Sequence, residues 1–354
     1  MSGPIKNIGG VTDQEACPPA DLPPPVAARL ARALAVLAVL LAGAVALGLW
    51  LGTEKLDLTR IFSNPIARAL FFQLRLPRVI TGALIGAALA ATGAALQALF
   101  RNPLADPYAL GVSGGGALGA SVALALGWSA PVLGIPFVYV AAFGGAMLAM
   151  AVVRAIARTG VITLPGALLL AGVVVNLTSG AAMLTIQYMV DPNSALRMLR
   201  FMTGSLDVVG LDGVWRMAAI LLPALAALVW FARSLHLMAI DEDTAATLGV
   251  DTHRTELAVH TLCSLLVGLA VANGGAIGFV GLIVPHGVRA VFGEDVRVVL
   301  PASLVAGAAF LVLADTLART VLPATELPVG AITGLLGGPL FLWLLRRRQR
   351  YSAI

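Results

Sequence analysis

The stretch from Arg75 to Gly116 decides the fold, and it reads RLPRVITGALIGAALAATGAALQALFRNPLADPYALGVSGGG. Residues 79–100 within it form a run of about 22 residues without a charged side chain. At a helical rise of about 1.5 Å per residue, this run crosses a hydrocarbon layer of roughly 30 Å. Small residues recur along it at helical spacing, namely Gly82, Gly86, Ala90, Gly93 and Ala94. Because small residues let two helices approach closely, the stretch predicts a tightly packed membrane helix.

The composition of the whole chain supports a membrane protein. Of its 354 residues, 59% are hydrophobic and 12% are charged, and the mean hydropathy is +0.94. One water-soluble core cannot bury that much apolar surface. The net charge of +5 is typical of arginines that flank membrane spans, and it does not indicate a nucleic-acid partner. The two cysteines, Cys17 and Cys263, predict neither a disulfide framework nor a metal site.

Apolar runs divide the chain into a tail and one membrane domain. Residues 1–28 are polar and rich in proline, which predicts a disordered cytoplasmic tail. Residues 29–350 predict an all-α domain of about ten transmembrane helices with both termini in the cytoplasm. The expected spans are 33–51, 79–100, two within 107–153 that are broken near 127–136, 159–190, 217–232, two within 257–288 that are separated by a bend at 273–275, 298–314 and 327–345. Residues 52–73 are expected to form an outer loop with a short surface helix.

The sequence contains no means of powering transport by itself. Its two lysines, Lys6 and Lys55, do not end a GxxxxGK phosphate loop. Asp315 and Glu326 lie toward the outer end of their spans, so a proton or sodium relay through the membrane is not indicated. The chain is therefore expected not to be an enzyme and to draw energy from a partner. A secondary transporter or channel, which would need neither nucleotide nor partner, and a membrane enzyme with a polar cluster at one depth are the alternatives.

One inner loop, residues 236–254, is strongly polar. The acidic residues Asp241, Glu242 and Asp243 precede Thr244 to Leu248, and Gly249 follows. Acidic side chains suit the start of a helix and glycine suits its end, so the loop predicts a short capped helix. This helix could receive mechanical force from a partner, and a plain solvated loop is the alternative.

Several sequence blocks together resemble the FecCD family, the permease subunits of ABC importers for iron siderophores, haem and vitamin B12. These blocks are LRLPR (74–78), QALFRNPLADP (97–107), LGVSG (110–114), LLLAG (168–172), GAIGFVGLIVPH (275–286), LAD (313–315) and ELPVG (326–330). The resemblance covers residues 30–348. It implies a homodimeric permease of ten helices per subunit in the bacterial inner membrane, with its pathway on the dimer axis. Two ATP-binding subunits on the cytoplasmic side and a periplasmic substrate-binding protein are the implied partners, and no cofactor is implied.

The resemblance also implies where the binding protein docks. Arg75, Arg78 and Arg319 match outward arginines that receive acidic residues of that protein. They also break the rule that basic residues favour the cytoplasmic side. Guanidinium groups suit docking because they stay charged and fork onto carboxylates. The alternative is that the three arginines anchor the helices at the lipid headgroups.

Two further sites follow from the resemblance on the cytoplasmic side. Asn102 and Leu104 match the cytoplasmic gate, for which an ordinary structural turn is the alternative. A weaker second constriction is implied near residues 163–165. Residues 240–252 match the helices that couple the permease to the ATP-binding subunit, with Asp241, Glu242, Asp243, Thr244, Leu248 and Gly249 as the coupling residues.

The cargo is expected to be an iron chelate, either a ferric siderophore or haem, and cobalamin is the alternative. Arg197, Arg200, Gln187 and Met198 are the candidate lining of an outer substrate cavity. Arginine there would favour a cargo that carries carboxylates, although methionine in such a position usually packs. The histidines His260 and His286 in the late spans are expected to be core residues rather than haem ligands.

Overall fold

The computed structural model describes residues 25–52, 64–108, 111–128, 130–132, 135–159, 162–163, 165–322 and 325–351. The tail predicted for residues 1–28 lies outside this part of the chain except for its last four residues. Four of the five charged residues of the predicted outer loop also lie outside it, namely Glu54, Lys55, Asp57 and Arg60, whereas Arg68 lies within it.

The described chain is almost entirely helical. Its α-helices are α1 Val26–Trp50, α2 Pro65–Ala69, α3 Leu76–Leu99, α4 Val112–Ala125, α5 Phe137–Ala157, α6 Pro165–Gln187, α7 Pro192–Thr203, α8 Asp212–Trp230, α9 Ala232–Ile240, α10 Glu242–Thr247, α11 Thr252–Gly274, α12 Val280–Phe292, α13 Val296–Thr320 and α14 Val329–Tyr351. A π-helical stretch, Leu70–Arg75, joins α2 to α3. Two short antiparallel hairpins complete the fold, β1 Pro131–Val132 with β2 Ile135–Pro136 and β3 Arg158–Thr159 with β4 Ile162–Thr163.

Ten of these helical segments are apolar along the described ranges. Seven are long and apolar enough to cross a membrane, counting Pro65–Leu99 as one segment, and three shorter ones lie at Val112–Ala125, Val280–Phe292 and Val329–Phe341. The predicted all-α fold with about ten transmembrane helices is confirmed. The expected outer surface helix within 52–73 differs in one respect, because the helix that begins at Pro65 runs on into the span instead of lying apart from it.

Helix α3 lies at the centre of the core, and most of its residues are buried. Its predicted small-residue face is confirmed. At Gly86 the backbone of α3 meets Gly307 of α13 so closely that neither glycine has room for a Cβ. A Cβ on Gly93 would likewise overlap the backbone of Gly281 in α12. Such contacts let the backbones approach where lipid supplies no hydrophobic force between helices.

The charged side chains gather at two opposite ends of the helices. At one end, called the α10 end, the Arg29 side chain donates to Phe292 O at 2.8 Å, and Arg101 donates to Met238 O at 2.9 Å. At the other, called the arginine end, lie the side chains of Arg75 and Arg78. The helices therefore stand with polar caps on both sides of an apolar belt, as a membrane-spanning bundle requires.

Exposed tryptophans mark the edges of that belt. Trp215 and Trp230 lie at the two ends of α8, and both are exposed. They are fifteen positions apart along the helix, which corresponds to roughly 22 Å. Tryptophan is enriched where a helix passes from hydrocarbon to headgroups, so this spacing fits a helix that faces lipid.

Candidate docking, gate and coupling sites

The arginine end holds a cluster of three guanidinium groups and two carboxylates. Arg78, near the start of α3, donates from Nε to Asp315 Oδ1 at 3.0 Å and from Nη1 to Glu326 Oε2 at 2.7 Å. Arg319 pairs through Nε with Asp315 Oδ2 at 2.9 Å. The two oxygens of Asp315 thus bind two different arginines. Since Asp315 is only 2% exposed, it is a buried charge neutralised on both sides, as burial requires.

Two of the arginines also bind the end of α1. Arg75 Nη1 donates to Leu49 O and Trp50 O at 3.0 and 3.1 Å. Arg319 donates to Gly48 O at 3.2 Å and to Leu51 O at 3.4 Å. The last carbonyls of a helix have no partner within the helix, and cations there also match the negative end of its dipole. Arg75 and Arg319 therefore cap α1 from neighbouring helices.

The three arginines differ in how far solvent can reach them. Arg75 and Arg319 are buried, whereas the Arg78 side chain keeps 15% of its surface exposed. A cavity of about 230 Å³ opens beside all three arginines. Besides them it is lined by Gly52, Leu70, Leu74, Leu206, Asp207, Val208, Val209 and Glu326. The structure thus brings Arg75, Arg78 and Arg319 together, as the sequence suggested. Each of them, however, already binds groups of the same chain.

The turn after α3 carries the candidate gate residues. Asn102 accepts a hydrogen bond from Leu104 N at 3.0 Å through its own Oδ1, and Leu104 is exposed. Arg101 takes the left-handed conformation, with φ 49°. Asn102 N donates to Gln97 O, and Arg101 N donates to Ala98 O. These bonds form a Schellman motif with arginine where glycine is usual, and they fix the direction of the turn.

Asp106 secures the same turn, and the sequence pattern did not single it out. The side chain is buried and accepts a hydrogen bond from Tyr108 N at 3.3 Å. Burial raises the pKa of Asp106 to about 6, although hydrogen bonds from the backbone of Tyr108 and Phe279 oppose the rise. The bond from Phe279 joins the turn to the start of α12. The only sequence signal was an acid placed between alanine and proline.

Asn176 of α6 binds the end of this turn. Its Nδ2 donates to Tyr108 O at 2.8 Å, and its Oδ1 accepts from Gly114 N at 3.0 Å. One amide thereby holds the turn and the first residues of α4 against α6. The side chains of the second constriction, which the resemblance implied near residues 163–165, lie outside the described part of the chain.

The short capped helix predicted for the polar inner loop is present as α10. Asp241 Oδ2 accepts hydrogen bonds from Thr244 N at 2.8 Å and from Thr244 Oγ1 at 2.6 Å, so it is the N-cap. These bonds to Thr244, the side-chain bond first, lower the pKa of Asp241. Gly249, with φ 85°, ends the helix in a Schellman motif in which Val250 N donates to Ala245 O.

The surface of α10 suits contact with a partner. Leu248 is 63% exposed, and Glu242 and Asp243 are also exposed. One apolar side chain thus projects beside two acidic ones at the α10 end of the bundle. The expected capped helix with acids in front and glycine behind is confirmed by these contacts.

The candidate cavity residues lie around α7 but do not share one surface. Arg197 donates to Ser194 Oγ at 3.3 Å, and Arg200 forms an exposed ion pair with Asp207 at 2.9 Å. Gln187 donates to Ala195 O at 3.2 Å, which ties α6 to α7. Met198 is 0% exposed, so in this conformation it packs inside the subunit rather than facing open space.

Among the histidines, His260 is a core residue as expected. It is buried against the Phe100 ring at 5.4 Å between centroids, and its Nε2 lies 3.7 Å from Glu256 Oε1. Within the described ranges, no group of three His, Cys, Asp or Glu side chains could hold a metal ion.

Comparison with known proteins identifies the family to which this chain belongs. A profile of the FecCD transport family matches residues 37–347. The cobalamin import system permease protein BtuC of Halobacterium salinarum is 44% identical over 284 residues, which cover 80% of this chain and 75% of that protein. The hemin transport system permease protein HmuU of Yersinia pestis is 39% identical over 285 residues, with 80% and 85% covered.

A solved structure agrees with these relatives. It represents an inward-facing conformation of a transporter assigned to the metal-chelate type of ABC transporter, and it is 29% identical. The match covers 90% of this chain and 99% of that one, with a TM-score of 0.77. In the described part of the chain, ten apolar helices between two polar ends define a multi-pass membrane protein. The chain belongs to the FecCD transport family and is a permease of an ABC importer, a family whose members work with ATP-binding subunits and substrate-binding proteins.

Proposed function

We propose that this permease carries a metal chelate inward across the bacterial inner membrane, with an iron chelate, either a ferric siderophore or haem, as the cargo. Cobalamin is the second candidate, because relatives named for cobalamin and for hemin match this chain at similar identity. Arg197 supports a cargo with carboxylates, since it is exposed and its side chain donates to the neutral hydroxyl of Ser194. Arg200 gives less support for such a cargo, because its charge is already neutralised by Asp207.

The proposed assembly is a homodimer with its pathway between two copies. Helix α6 supports this arrangement because a row of its large apolar side chains is exposed. These are Leu170, Val173, Val174, Leu177 and Leu184. The same helix binds the gate turn through Asn176, so a pathway along α6 would end at Asn102 and Leu104. Both termini and α10 would lie in the cytoplasm.

The hydrolysis of ATP belongs, in this proposal, to a separate subunit that contacts α10. The observation that carries this part is the bond from Arg101 Nε to Met238 O at 2.9 Å. Met238 lies in α9, three residues before the N-cap of α10, and Arg101 begins the gate turn. A displacement of α10 would therefore reach the gate through one rigid helix and one charge-assisted hydrogen bond. Asp241 to Thr244, Leu248 and Gly249 are the coupling residues.

Docking of the substrate-binding protein is proposed at the arginine end. Substitution of Arg78 tests this docking proposal, because Arg78 is the most exposed of the three arginines. We expect Arg78→Glu to remove the stimulation of ATP hydrolysis by the binding protein in reconstituted complexes, while basal hydrolysis continues. Arg68→Glu is the matched control, since Arg68 is exposed on α2 before the same helix and does not line the cavity beside the three arginines. Normal stimulation of the Arg78 variant would refute docking at this cluster.

The cargo requires a separate measurement. Uptake into proteoliposomes that contain the complete importer should be compared for haem, a ferric hydroxamate siderophore and cyanocobalamin. Preferential, ATP-dependent uptake of either iron chelate supports the proposal. Preference for cyanocobalamin would replace it with the second candidate.

A further inference from the structure

We infer that Glu326 occupies the docking arginine Arg78 as an internal stand-in for the carboxylate of the partner, so that docking requires Glu326 to be displaced. This inference rests on the docking proposed above. It assigns the three arginines different roles, because Arg78 exchanges its partner while Arg75 and Arg319 hold α1.

The guanidinium of Arg78 presents two separate edges to two carboxylates. The Nε and Nη2 atoms both lie 3.0 Å from Asp315 Oδ1, and Nη1 lies 2.7 Å from Glu326 Oε2. A planar guanidinium has this fork of donors and can bind two acids at once. Exchange of the acid at Nη1 therefore leaves the bonds to Asp315 intact.

The two acids differ in how easily they can be released. Asp315 is 2% exposed and also pairs with Arg319, so its removal would leave two largely buried arginines without this carboxylate. Glu326 is 38% exposed and comes from the segment before α14. Water can solvate a carboxylate at that exposure, so releasing Glu326 costs less than releasing the buried Asp315. Glu326 is the acid that an incoming carboxylate can replace.

Arg75 and Arg319 are poorly suited to exchange. Between them they bind four successive carbonyls at the end of α1, from Gly48 to Leu51. Drawing Arg319 toward a partner would break its bond to the buried carbonyl of Gly48, and drawing Arg75 away would break its two part-buried bonds to Leu49 and Trp50. Their positive charge still attracts an acidic partner to the cavity from a distance, because that effect needs no direct contact.

A carboxylate that enters the cavity would meet suitable chemistry. The cavity of about 230 Å³ is lined by Arg75, Arg78 and Arg319 together with Asp207 and Glu326. Asp207 is paired with Arg200 at 2.9 Å. With Glu326 displaced, Nη1 of Arg78 becomes an unpaired donor that faces this space. The occupant that fits it is an Asp or Glu side chain of the substrate-binding protein.

The test is Glu326→Gln, which keeps the size of the side chain and removes its charge. If Glu326 competes with the partner, the variant complex in nanodiscs should bind its substrate-binding protein about threefold to fivefold more tightly, the range expected for loss of one partly exposed ion pair. Asp207→Asn is the matched control because it removes the same charge from the same cavity without freeing Arg78. An equal gain in both variants would mean that only the long-range field changed, and it would overturn the inference.

A second measurement needs no partner protein. Phenylglyoxal modifies accessible arginines, and mass spectrometry locates the adducts. In Glu326→Gln the modification of Arg78 should be several times faster than in the unchanged protein, while Arg75 and Arg319 stay protected. Unchanged reactivity at Arg78 would show that Glu326 does not occupy it, and would also overturn the inference.

The outcomes separate this inference from the docking proposal. Loss of stimulation in Arg78→Glu together with unchanged affinity in Glu326→Gln would leave docking standing and remove the competition. Normal stimulation in Arg78→Glu would remove both. Tighter binding in Glu326→Gln but not in Asp207→Asn would support both the docking proposal and the competition by Glu326.

Discussion

Replacing Gly145 by alanine should destabilise the bundle, whereas the same change at its neighbour Gly144 should not. Both glycines lie in α5. A Cβ on Gly145 would overlap the carbonyl oxygen of Gly115 in α4 and lie 3.1 Å from the Cα of Gly119. A Cβ on Gly144 would find nothing within 4 Å. The pair thus compares one chemical change at packed and open positions of the same helix.

The magnitude follows from that geometry. Carbon atoms in contact prefer a separation of about 3.5–4.0 Å, so α4 and α5 must move apart by at least about half an ångström. Overpacking of this kind typically costs about 1–3 kcal/mol. Alanine gains up to about 1 kcal/mol over glycine in helix propensity at either site. Since that gain is common to both sites, we expect Gly145→Ala to have an unfolding free energy about 1–3 kcal/mol lower than Gly144→Ala, which should itself lose none.

Steric trapping in bicelles measures the unfolding free energy of a membrane protein without denaturant, and it suits this comparison. The partner change Gly115→Ala should have a similar cost. The double variant should cost less than the sum, since one separation of the helices accommodates both methyl groups. Equal unfolding free energies for the Gly145 and Gly144 variants would refute the argument that α4 and α5 pack through backbone contact.

Two further predictions concern the turn and helix at the α10 end. Asp241→Ala should weaken α10 by removing its N-cap and lower uptake per ATP hydrolysed, whereas Asp241→Asn, which keeps a cap oxygen, should not; equal coupling ratios in the two variants would contradict this. Because the folded pKa of Asp241 is lowered, its stabilisation is present above the ordinary pKa of about 3.9 and is lost as the pH falls through the folded value. For Asp106 the sign is opposite: its folded pKa of about 6 lies above the ordinary value, so stability should fall by about 2–3 kcal/mol as the pH rises from about 4 to 6. Asp106→Asn should flatten that part of the profile in detergent-solubilised protein, and an unchanged slope would show that Asp106 is not its source.

Local features of the fold were predictable because they depend on residues close together in the chain. The apolar run from Val79 to Phe100 requires a helix in lipid whatever surrounds it. The break at 273–275 was expected, and α11 ends at Gly274. The acids before Thr244 and the glycine at 249 predicted both caps of α10, since caps form between positions three to five residues apart.

For the candidate sites, the sequence predicted which residues take part but not which groups those residues contact. The sequence grouped Arg75, Arg78 and Arg319 through a family resemblance and treated them as equal. It could not reveal that two of them cap α1, because nothing in the pattern near residue 50 indicates a distant cation. It also gave no sign of the role of Asp106, whose burial depends on how α12 packs over the turn.

By itself, the sequence determined the solvent and the local geometry: a chain this apolar must dissolve in lipid, span it about ten times and turn where proline, glycine and charge allow. The tertiary structure alone decided which charges meet. Arg78 and Asp315 lie 237 positions apart, and Gly115 meets Gly145 only because α4 and α5 cross at that point. Hydrogen bonds and ion pairs act over a few ångströms in space, so their partners are fixed by helix packing and not by order along the chain.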